Sequence, residues 1–307
     1  MTVSDAEVSR GITRKKAETC RALVAQVETE LRSAGIASAR AEAEWLLAGS
    51  LGLQRTELYL REEPLPAPQC RLIRGWLRRR LNGEPLPYLI GYVEFCGYRL
   101  TVNESVFIPR PETEILAHEA VQCLQTLVQQ GRTAPKVLDV GTGSACLAVT
   151  LAHAHPACAL VAVELSWDAL RVARENVTAH RLAHRIQLIQ ADWTDGVRGP
   201  FDLIVSNPPY VPSCEVAPSF TNRSREPTMS LDGGPEGLRF SHRLLDEAPR
   251  LLAPGGSLGV ESSEEQASML ARLAARQSWV DRVEVFHDLT GRPRGIWLTR
   301  AKEPGVR

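Results

Sequence analysis

The tetrapeptide Asn207-Pro208-Pro209-Tyr210 combines the groups needed to hold a planar NH2 group. Proline at 208 keeps Asn207 out of the helical region, and two consecutive rings stiffen the loop. The segment therefore offers a fixed side-chain amide, a fixed Pro208 carbonyl and an aromatic face. Each of the two oxygens can accept one N–H of an NH2 group, which orients the nitrogen and favours charge growing on it. The Tyr210 ring can stack on a flat group and tolerates developing positive charge. An amide nitrogen is a poor nucleophile, because its lone pair is delocalised into the carbonyl. The pattern suits substitution at such a nitrogen by positioning, which contributes roughly 7–11 kcal/mol in favourable cases. No general base is needed beforehand, since the product proton can leave afterwards.

The tetrapeptide comes directly after the apolar run Phe201–Ser206, which reads as a strand, and ligands of open α/β sheets bind at the carboxyl ends of strands. A second strand of this kind, Val137–Val140, runs into Gly141-Thr142-Gly143-Ser144-Ala145 and then a helix. Glycines there let backbone approach a ligand and aim a helix N-terminus at it. The third glycine of a dinucleotide fingerprint is replaced by Cys146, so no pyrophosphate seat is expected and S-adenosyl-L-methionine is the cofactor inferred. Glu164 closes the next strand and is placed to accept from both ribose hydroxyls, at about 1.5–3 kcal/mol per charged hydrogen bond. Asp192 and Trp193, after the third strand, are candidates for the adenine amino group and the adenine pocket. The plainer readings are a tight strand-to-helix turn, a solvated carboxylate and a turn cap beside a core aromatic.

Positioning these loops requires a layered α/β domain. Strands are expected at 136–140, 158–164, 186–191, 201–206, 256–261, 281–287 and 295–299, with helices between the first six. The last two are too close for a crossover and must pair antiparallel. This predicts a seven-stranded Rossmann-like domain over 109–307. Residues 13–82 read as four short amphipathic helices, with Ser38 capping the second, a third near Thr56 and a stop at Asn82-Gly83. They define a helical domain over 1–92. Between the domains, 93–108 reads as a β-hairpin linker, with Tyr98, Leu100 and Val102 on one arm, a turn at Asn103-Glu104, and Val106 and Ile108 on the other.

Thirty-six basic residues balance thirty-six acidic ones, so no overall pull toward nucleic acid is expected. No apolar run is long enough for a membrane helix, and Met1–Lys16 lacks the apolar core of a secretory signal. The seven cysteines are odd in number and form no C-x-x-C pair, which disfavours a disulfide framework or zinc site and suits a reducing cytoplasm. Cys146 reads as a packing residue rather than a nucleophile. His153, His155, His180 and His184 lack acidic or cysteine partners, so no metal site is expected. Arg71, Arg74, Arg78, Arg79 and Arg80 form a basic run, read either as a solvated helix face or as a contact for an acidic partner or RNA.

From about Glu84 to Arg300 the chain resembles the protein-(glutamine-N5) methyltransferases of the PrmC/HemK type. The resemblance rests on Gly83-Glu84-Pro85 with Tyr88 and Gly91, on Glu94-Phe95 and Gly97, and on Ile108-Pro109-Arg110-Pro111-Glu112-Thr113-Glu114. It continues through Gly141–Ser144, Asp192-Trp193, Ser206–Tyr210, Glu226-Pro227, Gly233-Gly234 and Gly237-Leu238. It implies methylation of the glutamine in the Gly-Gly-Gln motif of class 1 peptide-chain release factors. Gly141 to Ala145, Glu164, Trp193 and Asn207 would then contact S-adenosyl-L-methionine, Asn207 to Tyr210 would hold the glutamine, and the helical domain would help grip the release factor. Three positions depart from the family pattern. Ala145 stands where glycine is usual, and its methyl is expected to crowd the methionine end of the cofactor. Glu164 replaces the usual aspartate. Ser262, Ser263 and Glu264 come after Glu261 where glycine and glutamine are usual, with Gln266 further on. The same NH2 chemistry also fits a ribosomal-protein glutamine or an adenine N6 of nucleic acid, although neutral charge and a small helical domain disfavour the latter.

Overall fold

The computed structural model describes residues 19–216 and 225–302. The expected start of the first helix, 13–18, lies outside them. The chain divides into two compact units, one ending at Ile90 and one beginning at Gly91.

The first unit is helical. Helix α1, Cys20–Ser33, is capped by the Thr19 hydroxyl, which accepts from the Ala22 N–H, and it buries Cys20, Leu23, Val24, Val27 and Leu31. Helix α2, Ala39–Leu51, stops at Gly52, whose φ of 66° is left-handed. Ser38 does not cap it as expected: its backbone is not extended, and its hydroxyl bonds the Glu42 carboxylate instead, at 3.0 Å. The expected third helix near Thr56 is a single 3-10 turn, Arg55–Tyr59. The buried Glu44 carboxylate fixes that turn by accepting from Arg55 Nε (3.0 Å) and Tyr59 OH (2.5 Å), and it also holds Arg40 Nε (2.9 Å). Helix α3, Ala67–Leu81, carries the basic run. Two of its arginines are tied down, Arg79 by Glu84 and Arg80 by Glu42. A short helix unforeseen in the sequence, α4, Leu86–Ile90, ends the unit.

The second unit opens with a hairpin, β1 Tyr92–Phe95 and β2 Tyr98–Thr101. The hairpin sits earlier than expected. Cys96 and Gly97, with φ of 48° and 79°, form the tight left-handed turn that two-residue hairpins favour. Val106 and Ile108 form no strand; the Ile108 N–H donates to the buried Glu226 carboxylate at 3.0 Å.

Helix α5, Pro111–Gln129, leads into the sheet: β3 Lys136–Val140, α6 Cys146–Ala154, β4 Ala159–Glu164, α7 Trp167–Ala179, β5 Ile186–Gln190 and β6 Phe201–Ser206. The remaining elements are α8 Arg239–Leu251, β7 Leu252–Glu261, α9 Glu264–Ala275, β8 Val280–His287 and β9 Pro293–Arg300. The strand order is β5-β4-β3-β6-β7-β9-β8. Five neighbouring strands run parallel, and β9 is antiparallel to both β7 and β8, as the short connection required. No helix joins β5 to β6, contrary to expectation. The link instead has its Val197 and Thr194 carbonyls satisfied by the Arg250 guanidinium of α8, at 2.9 and 3.1 Å.

Two apolar layers flank the sheet. One packs Leu116, Ala120, Leu124, Leu147 and Leu151 against it, and the other packs Leu244, Leu245, Ala248 and Leu270. Every residue of β6 is buried, as a strand covered on both faces requires. Because β3 lies between β4 and β6, the chain reverses direction across the sheet at β3, and a crevice opens at the carboxyl ends of these strands.

Candidate active site

A cavity of about 350 Å³ occupies that crevice. It is lined by Gly141 to Ser144 from the β3–α6 turn, Glu164 from the end of β4, Asp192 and Trp193 after β5, and Asn207 to Tyr210 after β6. Sequence motifs about seventy residues apart thus meet at one site.

Ala145 is the exception among the expected site residues. It does not line the cavity, and its methyl is fully buried in the apolar layer beneath α6. Its φ of 64° explains why glycine suits the position: a side chain there costs roughly 1–2 kcal/mol. The expected crowding of the cofactor is therefore replaced by backbone strain. Cys146 lines the cavity, but burial pushes its thiol up, keeping it protonated and unfit as a nucleophile.

The glycine loop is held from below. Asp139 accepts from the Thr142 hydroxyl at 2.6 Å, and burial raises its carboxyl to about 7. Glu164 accepts from the backbone N–H groups of Gly143 (2.9 Å) and Ser166 (3.0 Å). The extra methylene of Glu164 lets the carboxylate reach back to the loop, and each oxygen keeps a further lone pair for a ligand hydroxyl. Asp192 lies at the rim, and its carboxylate is held by Arg243 at 3.0 Å. Trp193 is left-handed, with φ of 60°, and its buried ring lies 5.0 Å from that of Phe240. Among the described residues, Ser144 Oγ, Trp193 Nε1 and Asp139 Oδ1 are buried without hydrogen-bond partners. Unpaired polar atoms around an apolar slot fit a ligand with a flat base and a polar tail, as S-adenosyl-L-methionine has.

The tetrapeptide Asn207 to Tyr210 is held at both ends. The Ser206 hydroxyl donates to the Val140 carbonyl at 2.8 Å, fixing the end of β6 to β3. Asn207 Nδ2 donates to the Thr113 hydroxyl at 3.0 Å, which directs Oδ1 away from Thr113. Among the described residues, neither Asn207 Oδ1 nor the Pro208 carbonyl is engaged in a hydrogen bond. The Tyr210 carbonyl accepts from Gln266 Nε2 at 2.9 Å, and its hydroxyl reaches Glu261 at 3.4 Å. Burial and the neighbouring Glu261 push the Tyr210 phenol up, so it stays a donor. Gly237 packs so closely that a Cβ there would lie 2.2 Å from the Tyr210 carbonyl oxygen.

Sequence reasoning assigned no role to Thr113, Phe240, Glu226, Glu261 or Gln266. The Ile108–Glu114 motif was the available signal. Its residues turn out to be ties: Ile108 and Arg110 to Glu226, Thr113 to Asn207, and Glu114 to the Cys96 N–H at 2.7 Å. No cluster of metal-ligating side chains occurs among the described residues, and no helix among them is long and apolar enough to cross a membrane.

Two family models match the chain: the PrmC N-terminal domain over residues 22–91 and the methyltransferase small domain over residues 119–225. A release factor glutamine methyltransferase of Chlorobaculum tepidum is 40% identical over 264 residues, covering 84% of this chain and 89% of the relative. One of Deinococcus radiodurans is 38% identical over 283 residues, covering 92% and 98%. Among solved structures, the hMettl16 catalytic domain in complex with MAT2A 3'UTR hairpin 6 superposes with a TM-score of 0.53 at 15% identity, over 78% of this chain and 84% of that one, which speaks for the fold alone. With relatives of this identity along most of its length, and with the tetrapeptide and cofactor loop meeting in one cavity, the chain belongs to the release factor glutamine methyltransferases.

Proposed function

We propose that this enzyme methylates the side-chain nitrogen of the glutamine in the Gly-Gly-Gln motif of class 1 peptide-chain release factors, using S-adenosyl-L-methionine. The observation that carries this reading is the pair of open acceptors at the cavity, Asn207 Oδ1 and the Pro208 carbonyl. A primary amide has two N–H donors, and two fixed acceptors hold both. That geometry leaves the nitrogen lone pair perpendicular to the amide plane and free to attack a methyl group placed in line with it.

Gly141 to Ser144, Glu164, Asp192 and Trp193 would hold the cofactor, whose sulfonium supplies an electrophilic methyl group when bound. Trp193 and Phe240 would line the base pocket. Glu164 would accept from the ribose hydroxyls with the lone pairs left over from Gly143 and Ser166. Asn207 and Pro208 draw positive charge onto the substrate nitrogen, Pro209 fixes the turn, and Tyr210 covers the flat group. The buried surroundings exclude water and strengthen each of these interactions. Once the methyl group is on, the nitrogen carries four substituents and a positive charge, so one of its two protons is acidic and leaves without a dedicated base.

The helical unit, assigned to residues 1–92 with 93–108 as linker, would contact the release-factor body. Arg71 and Arg78 on the exposed face of α3 are suited to an acidic partner surface. No nucleic-acid substrate and no membrane association are expected, and a cytoplasmic location fits the substrate.

The test is an incubation of purified protein with methyl-labelled S-adenosyl-L-methionine and, separately, release factor, a ribosomal-protein fraction and DNA. Label on release factor that is lost when its motif glutamine becomes alanine is the expected result. Label on DNA or on a ribosomal protein, with none on release factor, overturns the reading.

A further inference from the structure

The link from β5 to β6 carries Asp192 and Trp193, both of which line the cavity, yet it has no helix or strand of its own to hold them. Trp193 lies in the left-handed region, with φ of 60°, where a bulky side chain persists only if its surroundings over-determine it. Those surroundings come from one face of α8. Phe240, Arg243, Glu247 and Arg250 follow one another at steps of three and four, the spacing that lines side chains along one side of a helix. The Phe240 ring meets that of Trp193 at 5.0 Å. The Thr194 hydroxyl donates to Glu247, and Arg250 donates to the Thr194 carbonyl at 3.1 Å.

Arg243 holds the part of the link nearest the cavity. Its Nη1 donates to Asp192 Oδ1 at 3.0 Å, and its Nη2 donates to Asp195 Oδ1 at 2.9 Å and to the Asp192 carbonyl at 3.4 Å. Its Nε donates to Glu247 at 2.9 Å, so every nitrogen of the guanidinium is engaged. A guanidinium only donates, so it takes one oxygen of the Asp192 carboxylate and never competes with it as an acceptor. The other oxygen, Oδ2, accepts no hydrogen bond among the described residues. The Asp192 side chain is 61% exposed, so the ion pair adds little stability. Its effect is on direction: a pinned carboxylate is ordered before a ligand arrives, whereas a free one must be ordered by the ligand.

We propose that Arg243 is a positioning residue for cofactor recognition, holding the Asp192 carboxylate and the turn at Trp193 so that Asp192 Oδ2 meets the amino group of the base. The inference rests on the proposed assignment of Asp192 to the cofactor's base. It makes the site selective for a purine that carries an amino group. An acceptor-only carboxylate takes an N–H donor and repels a ring carbonyl oxygen in the same place. Arg243, with all its nitrogens engaged, is not free to turn to such an oxygen.

The experiment is calorimetric titration of the full chain with S-adenosylhomocysteine and with S-inosylhomocysteine, whose base carries an oxo group where adenine has its amino group. The wild type should prefer the adenosyl ligand by at least about tenfold, the worth of one charged hydrogen bond. Arg243→Gln should cut that preference below about threefold by weakening the adenosyl ligand alone. Arg243→Lys, which keeps one bond to Asp192 but not the fork, should fall between. Asp192→Asn should abolish the preference, since an amide can turn either end to the base, and adding Arg243→Gln to it should leave the preference where it was. The inference is overturned if either Arg243 variant keeps the wild-type preference, if both ligands weaken alike, or if the effects of the two substitutions add. A preference that survives Asp192→Asn overturns it as well, together with the assignment of Asp192 to the base. No release factor enters these titrations, so their outcome is independent of the substrate reading.

Discussion

Replacing Asn207 with alanine separates chemistry from cofactor binding. The change deletes Oδ1, one of the two acceptors proposed to hold the substrate nitrogen, and leaves the Pro208 carbonyl in place. Losing one preorganised hydrogen-bonding group directed at developing charge costs about 2.7–4 kcal/mol, or 10²–10³ in kcat. A second cost falls on the fold. Thr113, 1% exposed, loses the donor at its hydroxyl, and a buried polar group left unsatisfied costs roughly 1–3 kcal/mol. The cofactor side is nearly untouched. Its expected contacts lie on the glycine loop, Glu164 and Trp193, so losing at most one contact from Asn207 should weaken binding by less than about tenfold, or 1.4 kcal/mol. Single-turnover transfer of labelled methyl to release factor gives the first quantity, and calorimetric titration with S-adenosyl-L-methionine gives the second. Equal losses in rate and cofactor affinity would refute the reasoning, because Asn207 would then serve mainly to hold the cofactor.

Ala145→Gly should leave cofactor Kd within about twofold, because the methyl faces the apolar layer and not the cavity. Its stability should change by less than about 1 kcal/mol, since relief at φ 64° is offset by lost burial and added backbone entropy; much tighter cofactor binding would show that the methyl does crowd the site. Gly237→Ala should lower kcat about 10²-fold in steady-state assays, because a Cβ 2.2 Å from the Tyr210 carbonyl oxygen must displace the tetrapeptide. Burial raises both Asp139 and Glu261 to about 7, so each favours the neutral form in the fold. Their contribution to stability is complete below the unfolded carboxylate values near 4 and is lost as pH rises through about 7. The loss runs from about pH 4 to about pH 7 and levels off above it, so Asp139→Asn should flatten the fall in thermal midpoint across that window; a variant whose midpoint follows the wild type's over the same window would contradict the assignment.

The features legible in the sequence were the local ones. Strands β3 to β9 showed themselves as apolar runs, and Asn207 to Tyr210 and Gly141 to Ser144 carry their chemistry in contiguous residues. The hairpin was misplaced because Tyr98, Leu100 and Val102 alternate on one arm while the turn that pairs them, Cys96-Gly97, precedes them. The link from β5 to β6 offered no local signal, since its carbonyls are satisfied by Arg250 from a distant helix. The same limit hid the support of the site. Thr113 meets Asn207 across 94 positions, and Glu226 meets Ile108 across 118, and no periodicity records such a pairing. The Ile108–Glu114 motif was visible as a pattern but could not be given a task, because each of its residues acts on a partner that only the fold brings near. Glu226 anchors the start of the segment, α5 holds the rest rigid, and Thr113 delivers that rigidity to the amide of Asn207. The tetrapeptide's orientation is therefore a property of the whole sheet edge, although its chemistry can be read from four residues.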